Sequence, residues 1–214
     1  TDIYGRDLFS RVLLGVRVSL SIGFMAVIIS NLIGIILGLI SGYYGGYLDK
    51  IIVWIINVFW SIPTLLLVIA LSLVLGKGFW QVYIAIGLSI WVDVARLVRG
   101  KVMSEKNKDY VFASKVLGYS NFKILLNNIL PNILPPILIL SAANFASSIL
   151  LESGLSFLGI GSQPPTPSWG YMIKENYQYI IFGNSYLIVI PSIFLISLVL
   201  SFYYLSNFFA SKNI

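Results

Sequence analysis

The chain has 214 residues, 58% of them hydrophobic and 10% charged, with a net charge of +6 and a mean hydropathy of +0.91. A soluble globule of this length cannot cover so much apolar surface, so lipid is the solvent for most of the chain. The absence of cysteine and histidine excludes thiolate and imidazole catalysis, zinc-finger sites and disulfides within it.

Crossing about 30 Å of hydrocarbon takes about 20 mostly apolar residues in a helix. Five stretches qualify or nearly so, at 18–40, 51–75, 79–98, 133–151 and 187–209, and predict an all-α polytopic membrane protein with one transmembrane domain. Ahead of them, Arg6, Arg11 and Arg17 alternate with Leu8, Phe9, Val12 and Leu13, which reads either as an interfacial helix or as a frayed external loop. In the first span, Gly34, Gly38 and Gly42 form a ridge of small residues that lets another helix approach closely, in this chain or in a partner. Residues 41–49 are glycine-rich but lack the Lys-Ser/Thr ending of a phosphate-binding loop, and read as a tight turn.

The second span contains Pro63, which removes a backbone donor and predicts a kink; such a kink either lines a pathway or only packs. Near the end of the third span, Asp93 and Arg96 lie three residues apart on one helical face, as expected for a local ion pair.

A polar interruption at 109–132 predicts two short amphipathic helices hinged at Gly118. Phe122, Leu125, Leu126 and Ile129 follow the i, i+3, i+4, i+7 spacing of one apolar helical face. Ser120 stands where an N-cap belongs, and Pro131 is expected to stop the second helix. The pair reads as a docking surface or as a plain interfacial helix pair. After the fourth span, Glu152 either faces a translocation cavity or contacts a neighbouring backbone or subunit. Gly154, Gly159, Gly161, Pro164, Pro165 and Pro167 predict an extended external turn at 153–170.

Seven of the fourteen basic residues, Arg96, Arg99, Lys101, Lys106, Lys108, Lys115 and Lys123, gather around the interruption, which argues for a positive-inside loop and against nucleic acid. With 99–132 cytoplasmic, Lys50 and Lys212 also fall inside, and 153–186 falls outside with Lys174; Arg6, Arg11, Arg17 and Lys77 complete the outer set.

These features carry a family resemblance. The interruption resembles the cytoplasmic coupling loop of ATP-binding-cassette importer permeases: Ala113, Gly118, Leu130 and Pro131 fit its pattern, while Phe112, Ser114 and Asn128 depart from it. Gly154-Leu155-Ser156-Phe157-Leu158-Gly159-Ile160-Gly161, then Gln163-Pro164-Pro165-Thr166-Pro167-Ser168-Trp169-Gly170, resembles the oligopeptide/dipeptide/nickel branch, as do residues 1–7 and 95–100. The resemblance implies a type I importer permease fold, with a sixth span expected before Thr1, in a bacterial or archaeal inner membrane. It implies a non-catalytic subunit without cofactor or metal of its own, half of a translocation path for oligopeptides or dipeptides, with a nickel or metallophore chelate as the alternative cargo. A secondary carrier or a pure scaffold is the reading from a different class. The implied partners are a second permease subunit, two ATPase subunits carrying ATP and magnesium, an extracytoplasmic solute-binding protein and the bilayer. The implied ATPase contacts are Val111, Phe112, Ala113, Gly118, Phe122, Leu125, Leu126, Ile129, Leu130 and Pro131; Glu152, Ser156 and Pro63 are the candidates for the path.

Overall fold

The computed structural model describes residues 1–2, 4–76, 78–162 and 166–212, so Gln163, Pro164 and Pro165 of the external motif, and Lys77, lie outside the described residues. The described chain is helical throughout: α1 (Leu8–Tyr44), α2 (Gly46–Trp60), α3 (Thr64–Leu75), α4 (Phe79–Glu105), α5 (Asp109–Val116), α6 (Asn121–Leu158), α7 (Trp169–Asn176) and α8 (Tyr186–Lys212). Four of these, α1, α4, α6 and α8, are long and apolar enough to cross a membrane, and α2 with α3 forms a fifth, broken unit.

Helix α1 starts where the Asp7 carboxylate caps the Ser10 N–H at 3.0 Å. Its 37 residues run about 55 Å, well beyond the hydrocarbon thickness. From Leu8 onward the arginine-bearing lead-in is neither a separate interfacial helix nor a frayed loop: Arg11 and Arg17 lie in the first turns of α1, where nothing between Leu8 and Tyr44 breaks helical geometry, and Arg6 lies in the short segment before it. The turn expected at 41–49 shrinks to Gly45, where positive φ values at Gly45 (67°) and Gly46 (59°) reverse the chain.

The glycine ridge of α1 packs within this chain, against α4, in the largest helix–helix contact of the fold. Gly34, Gly38 and Gly42 face Val94, Val98 and Val102, a valine ridge with the same four-residue period. A Cβ built on Gly38 would lie 2.6 Å from Val98 Cβ and 2.8 Å from the Ala95 carbonyl oxygen, so only glycine lets the two backbones meet there.

Pro63 breaks its span rather than kinking it. Proline disfavours helical geometry in the residue before it, and α2 and α3 meet at 93° across Ser61, Ile62 and Pro63. Pro131, by contrast, does not stop its helix. The turns before it, Ile124–Ile129, are π-helical, with the Leu130 N–H reaching back to the Leu125 carbonyl, and this widened backbone accommodates the ring. The helix continues unbroken into the fourth span and ends at Gly159, whose φ of 83° forms a left-handed cap. Gly154 is thus helical, and the irregular segment is shorter than expected, because one glycine in a long apolar helix costs only about 1 kcal/mol.

At the opposite end of the bundle from the hairpin, Asp2, Arg6, Arg11 and Glu175 tie the N-terminal segment to α7: Arg6 Nε and Arg11 Nη1 each lie 2.6 Å from Asp2, and both guanidinium groups reach Glu175. Burial pushes the Asp2 carboxyl up, but hydrogen bonds from the Arg6 backbone and side chain, from Arg11 and from Tyr4 outweigh it, leaving the group below its ordinary value. A lowered folded value means that this contribution is complete above the unfolded carboxylate range, near pH 4, and is lost as pH falls through the folded value. Thermal scans of the solubilised chain should accordingly lose less stability between pH 5 and pH 3 in Asp2→Asn than in the parent. Parallel acid losses in the two would contradict the cluster.

Candidate functional site: the hairpin and the groove beside the broken helix

The hairpin is built from α5 and the first turns of α6, joined at Gly118, whose φ of 76° suits glycine. The Ser120 hydroxyl accepts from the Lys123 N–H at 3.4 Å, as its N-cap position predicts. The Asn128 amide crosses to the Ser114 hydroxyl at 2.7 Å and fixes the two limbs together.

The apolar side chains divide into two faces. Val111, Ile124, Leu125 and Ile129 are buried and join Val94, Val98 and Val102 of α4 and Ile133 and Ile137 of α6 in one core cluster. Phe112 (51% exposed), Val116 (88%), Leu117 (71%) and Phe122 (70%) stand outward with Tyr119 and Leu126. Ala113, Gly118 and Pro131 are exposed and Leu130 is half-buried.

This corrects the single stripe of Phe122, Leu125, Leu126 and Ile129. A π-helical segment turns each residue through a smaller angle than an α-helix, so spacing counted at 3.6 residues per turn misplaces Leu125 and Ile129, while Ile124, off the counted stripe, is buried. Val111 is likewise a core residue. Leu125→Asp should therefore destabilise the chain itself, by roughly 3 kcal/mol or more for an unpaired buried carboxylate, and lower its amount in the membrane severalfold. Normal accumulation with selective loss of ATPase coupling would return Leu125 to the docking face. The outward residues Val116, Leu117 and Tyr119 were not singled out from the sequence; the i, i+4 pair Phe112 and Val116 was the available signal.

The inner face is anchored by charge as well. Arg99 of α4 makes a two-pronged ion pair with Asp49 of α2, at 2.6 Å and 2.8 Å, with the Ser41 hydroxyl on the same carboxylate. Lys106 caps the Gly42 carbonyl at 2.9 Å. These contacts tie the hairpin end of α4 to α1 and α2.

A second arrangement lies beside the broken helix. Asp93 and Arg96 form no ion pair with each other, contrary to expectation, because Trp60 at the end of α2 reaches both. The Trp60 indole N–H donates to Asp93 Oδ1 at 3.1 Å, while the Arg96 guanidinium stacks on the Trp60 ring at 3.5 Å and donates to Asn57 Oδ1 at 3.1 Å. Pro63, exposed, lines a pocket of about 170 Å³ with Phe59, Trp60, Ser89, Val92 and Asp93. Thr64 and Asp93 continue into a neighbouring pocket of about 330 Å³ with Asn144, Ser147 and Leu150.

Glu152 and Ser156 do not line a cavity of this chain: both are fully buried. The Ser156 hydroxyl donates to Glu152 Oε1 at 2.6 Å and accepts from the Ser162 N–H at 3.0 Å, while the Ser162 hydroxyl lies 3.4 Å from the same carboxylate oxygen. Close beside this carboxylate, Gly170 lets α7 approach the Ser153 backbone. Glu152 thus links α6 to the segment after it through side-chain hydroxyls of this chain.

The family described as binding-protein-dependent transport system inner membrane component matches residues 34–213. The chain is 40% identical over 195 residues to the dipeptide transport system permease protein DppC of Bacillus subtilis (strain 168), covering 91% of this chain and 61% of that protein. It is 38% identical over 175 residues to the oligopeptide transport system permease protein OppC of the same organism, covering 82% and 57%. With the dipeptide permease DppC of Lactococcus lactis subsp. cremoris (strain MG1363) it shares 39% over 207 residues, covering 97% and 60%. The chain thus spans about three fifths of the length of these relatives. In fold it is similar to a chain of the inward-facing MetNI methionine ABC transporter (TM-score 0.76, 18% identity, 93% and 94% of the two chains) and to one of an amino acid ABC transporter (TM-score 0.70, 17% identity, 97% and 99%). At these identities the likeness shows the shared all-helical fold alone.

Proposed function

Because the chain belongs to the family of binding-protein-dependent transport system inner membrane components, we propose that it is the permease subunit that forms half of the translocation path of an ATP-driven importer of dipeptides or oligopeptides. The cargo reading is supported by the peptide permeases among its relatives. The observation that carries the mechanism is the two-faced hairpin, apolar and exposed outside, packed into α4 and α6 inside.

In this reading the hairpin faces the cytoplasm, and Phe112, Val116, Leu117 and Phe122 fill a groove on one ATPase subunit. ATP binding and hydrolysis belong to the ATPase pair; this chain's residues convert the pair's closure into helix movement. Pushing on the outer face moves Val111, Ile124, Leu125 and Ile129, which are one packed body with the valine ridge of α4, so the helices follow as a rigid unit. The coupling has energy only where the docked hairpin has different contacts in the two states, since equal affinity shifts nothing. A second permease subunit supplies the other half of the path, and an extracytoplasmic binding protein delivers cargo on the side of α7.

Reconstitution of the chain with its second permease, ATPases and binding protein into liposomes tests this. Uptake of labelled dipeptide should require both ATP and the binding protein. Uptake that persists without ATP would make it a secondary carrier; ATP-driven uptake of chelated nickel and not of peptide would replace the cargo.

A further inference from the structure

The backbone at 61–63 leaves helical geometry halfway along a hydrophobic unit, and Trp60, Ser61, Ile62 and Pro63 are all exposed on the surface of the chain. Hydrocarbon cannot satisfy backbone groups released in this way, so this face meets water or protein rather than lipid. The residues around it agree. Asp93, exposed, sits in the middle of α4, about 21 Å from its start and about 18 Å from its end. Its second carboxylate oxygen, Oδ2, makes no hydrogen bond among the described residues, and Arg96 is turned away onto Trp60 and Asn57.

Facing the same pocket of about 330 Å³ is Asn144, fourteen residues from either end of the Leu130–Leu158 segment of α6 and so at a similar depth. It is only 6% exposed, yet its Nδ2 donor finds no acceptor among the described residues. A buried amide donor without a partner is destabilising, and a bound carbonyl would offset that cost. One pocket is thus lined both by an exposed carboxylate and by a residue whose amide donor is buried without a partner, together with Thr64 and Ser147.

We propose that this groove is a cargo-contact site of the permease itself, with Asp93 receiving an ammonium group of the peptide and Asn144 Nδ2 donating to a peptide carbonyl. Ammonium and carbonyl are what a peptide's first residue offers together, and a lysine side chain offers the same cation. The site rests on the peptide-importer reading above and adds to it a charge preference residing in the membrane subunit, independent of the binding protein. It is weak by construction: a single carboxylate with one free donor holds a cargo without trapping it.

The test is the ratio of uptake of a lysine-containing to a glutamate-containing tripeptide by the full complex in liposomes, with a neutral tripeptide as a third arm. Asp93→Asn should lower the lysine-to-glutamate ratio roughly fivefold, as expected for removing one charge contact in a partly wet site. Asp93→Glu should restore it, and Ser147→Asp, an exposed position on the same pocket, should move it the other way. An unchanged neutral peptide with a lowered ratio assigns Asp93 to the lysine side chain; an equal fall for all three peptides, restored by Asp93→Glu, assigns it to the terminal ammonium that all three carry. A ratio unmoved in both Asp93→Asn and Ser147→Asp, with uptake of the neutral peptide also unchanged, overturns the site while parent uptake still supports the importer. Absence of ATP-dependent peptide uptake in the parent removes the importer reading itself.

Discussion

Gly38→Leu is expected to reduce the assembled complex at least tenfold and to abolish uptake, the largest effect expected of any single substitution in the chain. The Cβ alone would come within 2.6 Å of Val98 Cβ and 2.8 Å of the Ala95 carbonyl, and the second of these is backbone, which cannot rotate away. Relief requires α1 and α4 to separate, and separation also opens the contacts at Gly34, where a Cβ would stand 2.5 Å from Val94 Cβ, and at Gly42, where it would stand 2.8 Å from the Arg99 carbonyl. Overpacking by single methylenes costs about 1–3 kcal/mol in cores that can adjust, and here a whole isobutyl group meets a rigid ridge. Between helices in lipid there is no compensating drive from water, because association rests on the fit itself. Gly154→Ala, at a helical glycine with open space around its Cβ position, is the control and should behave as the parent. Recovery of normal amounts of complex with Gly38→Leu would show that α1 and α4 do not pack through this ridge.

The second large effect concerns coupling rather than folding. Leu117→Asp places a carboxylate on a side chain that is 71% exposed, so the chain should fold and insert normally. Once docked, that carboxylate is desolvated without a partner, at a cost of several kcal/mol, enough to release an ATPase subunit from a hairpin whose attraction is mostly apolar. The expected result is peptide uptake at background with the membrane amount unchanged. Uptake at the parental level would remove the outer face of the hairpin from the account. The contrast with Leu125→Asp, only eight residues away, separates the two faces: one variant loses the partner, the other loses the chain.

Much of this architecture was legible in the chain's residues because lipid imposes length and composition directly. The spans at 18–40, 79–98, 133–151 and 187–209 each fall within a single long helix, and the glycine ridge of the first found a partner ridge with its own period. Proline was harder to read, since its effect depends on the backbone around it: Pro63 breaks the chain through 93°, whereas Pro131 rides on a π-turn that spacing rules do not anticipate. The same π-turn divided the apolar stripe of the hairpin between core and surface. Asp93 and Arg96 misled for a different reason. Helical spacing permitted their pairing, but Trp60, thirty-three residues earlier than Asp93, competes for both with an indole N–H and a ring face. Glu152 is a group that needs a reason to be in a membrane helix, and its contacts are local: the hydroxyls of Ser156 and Ser162 both meet its Oε1.

The central claim is that the exposed face of the hairpin lies in the cytoplasm against an ATPase. The chain contains no cysteine, so one introduced as Val116→Cys, at a position 88% exposed, reports its surroundings without background. Site-directed crosslinking from that thiol in the assembled transporter should capture an ATPase subunit, and the thiol should resist membrane-impermeant reagents applied to intact cells. Labelling from outside the cell, or a crosslink that never includes an ATPase, would contradict the account.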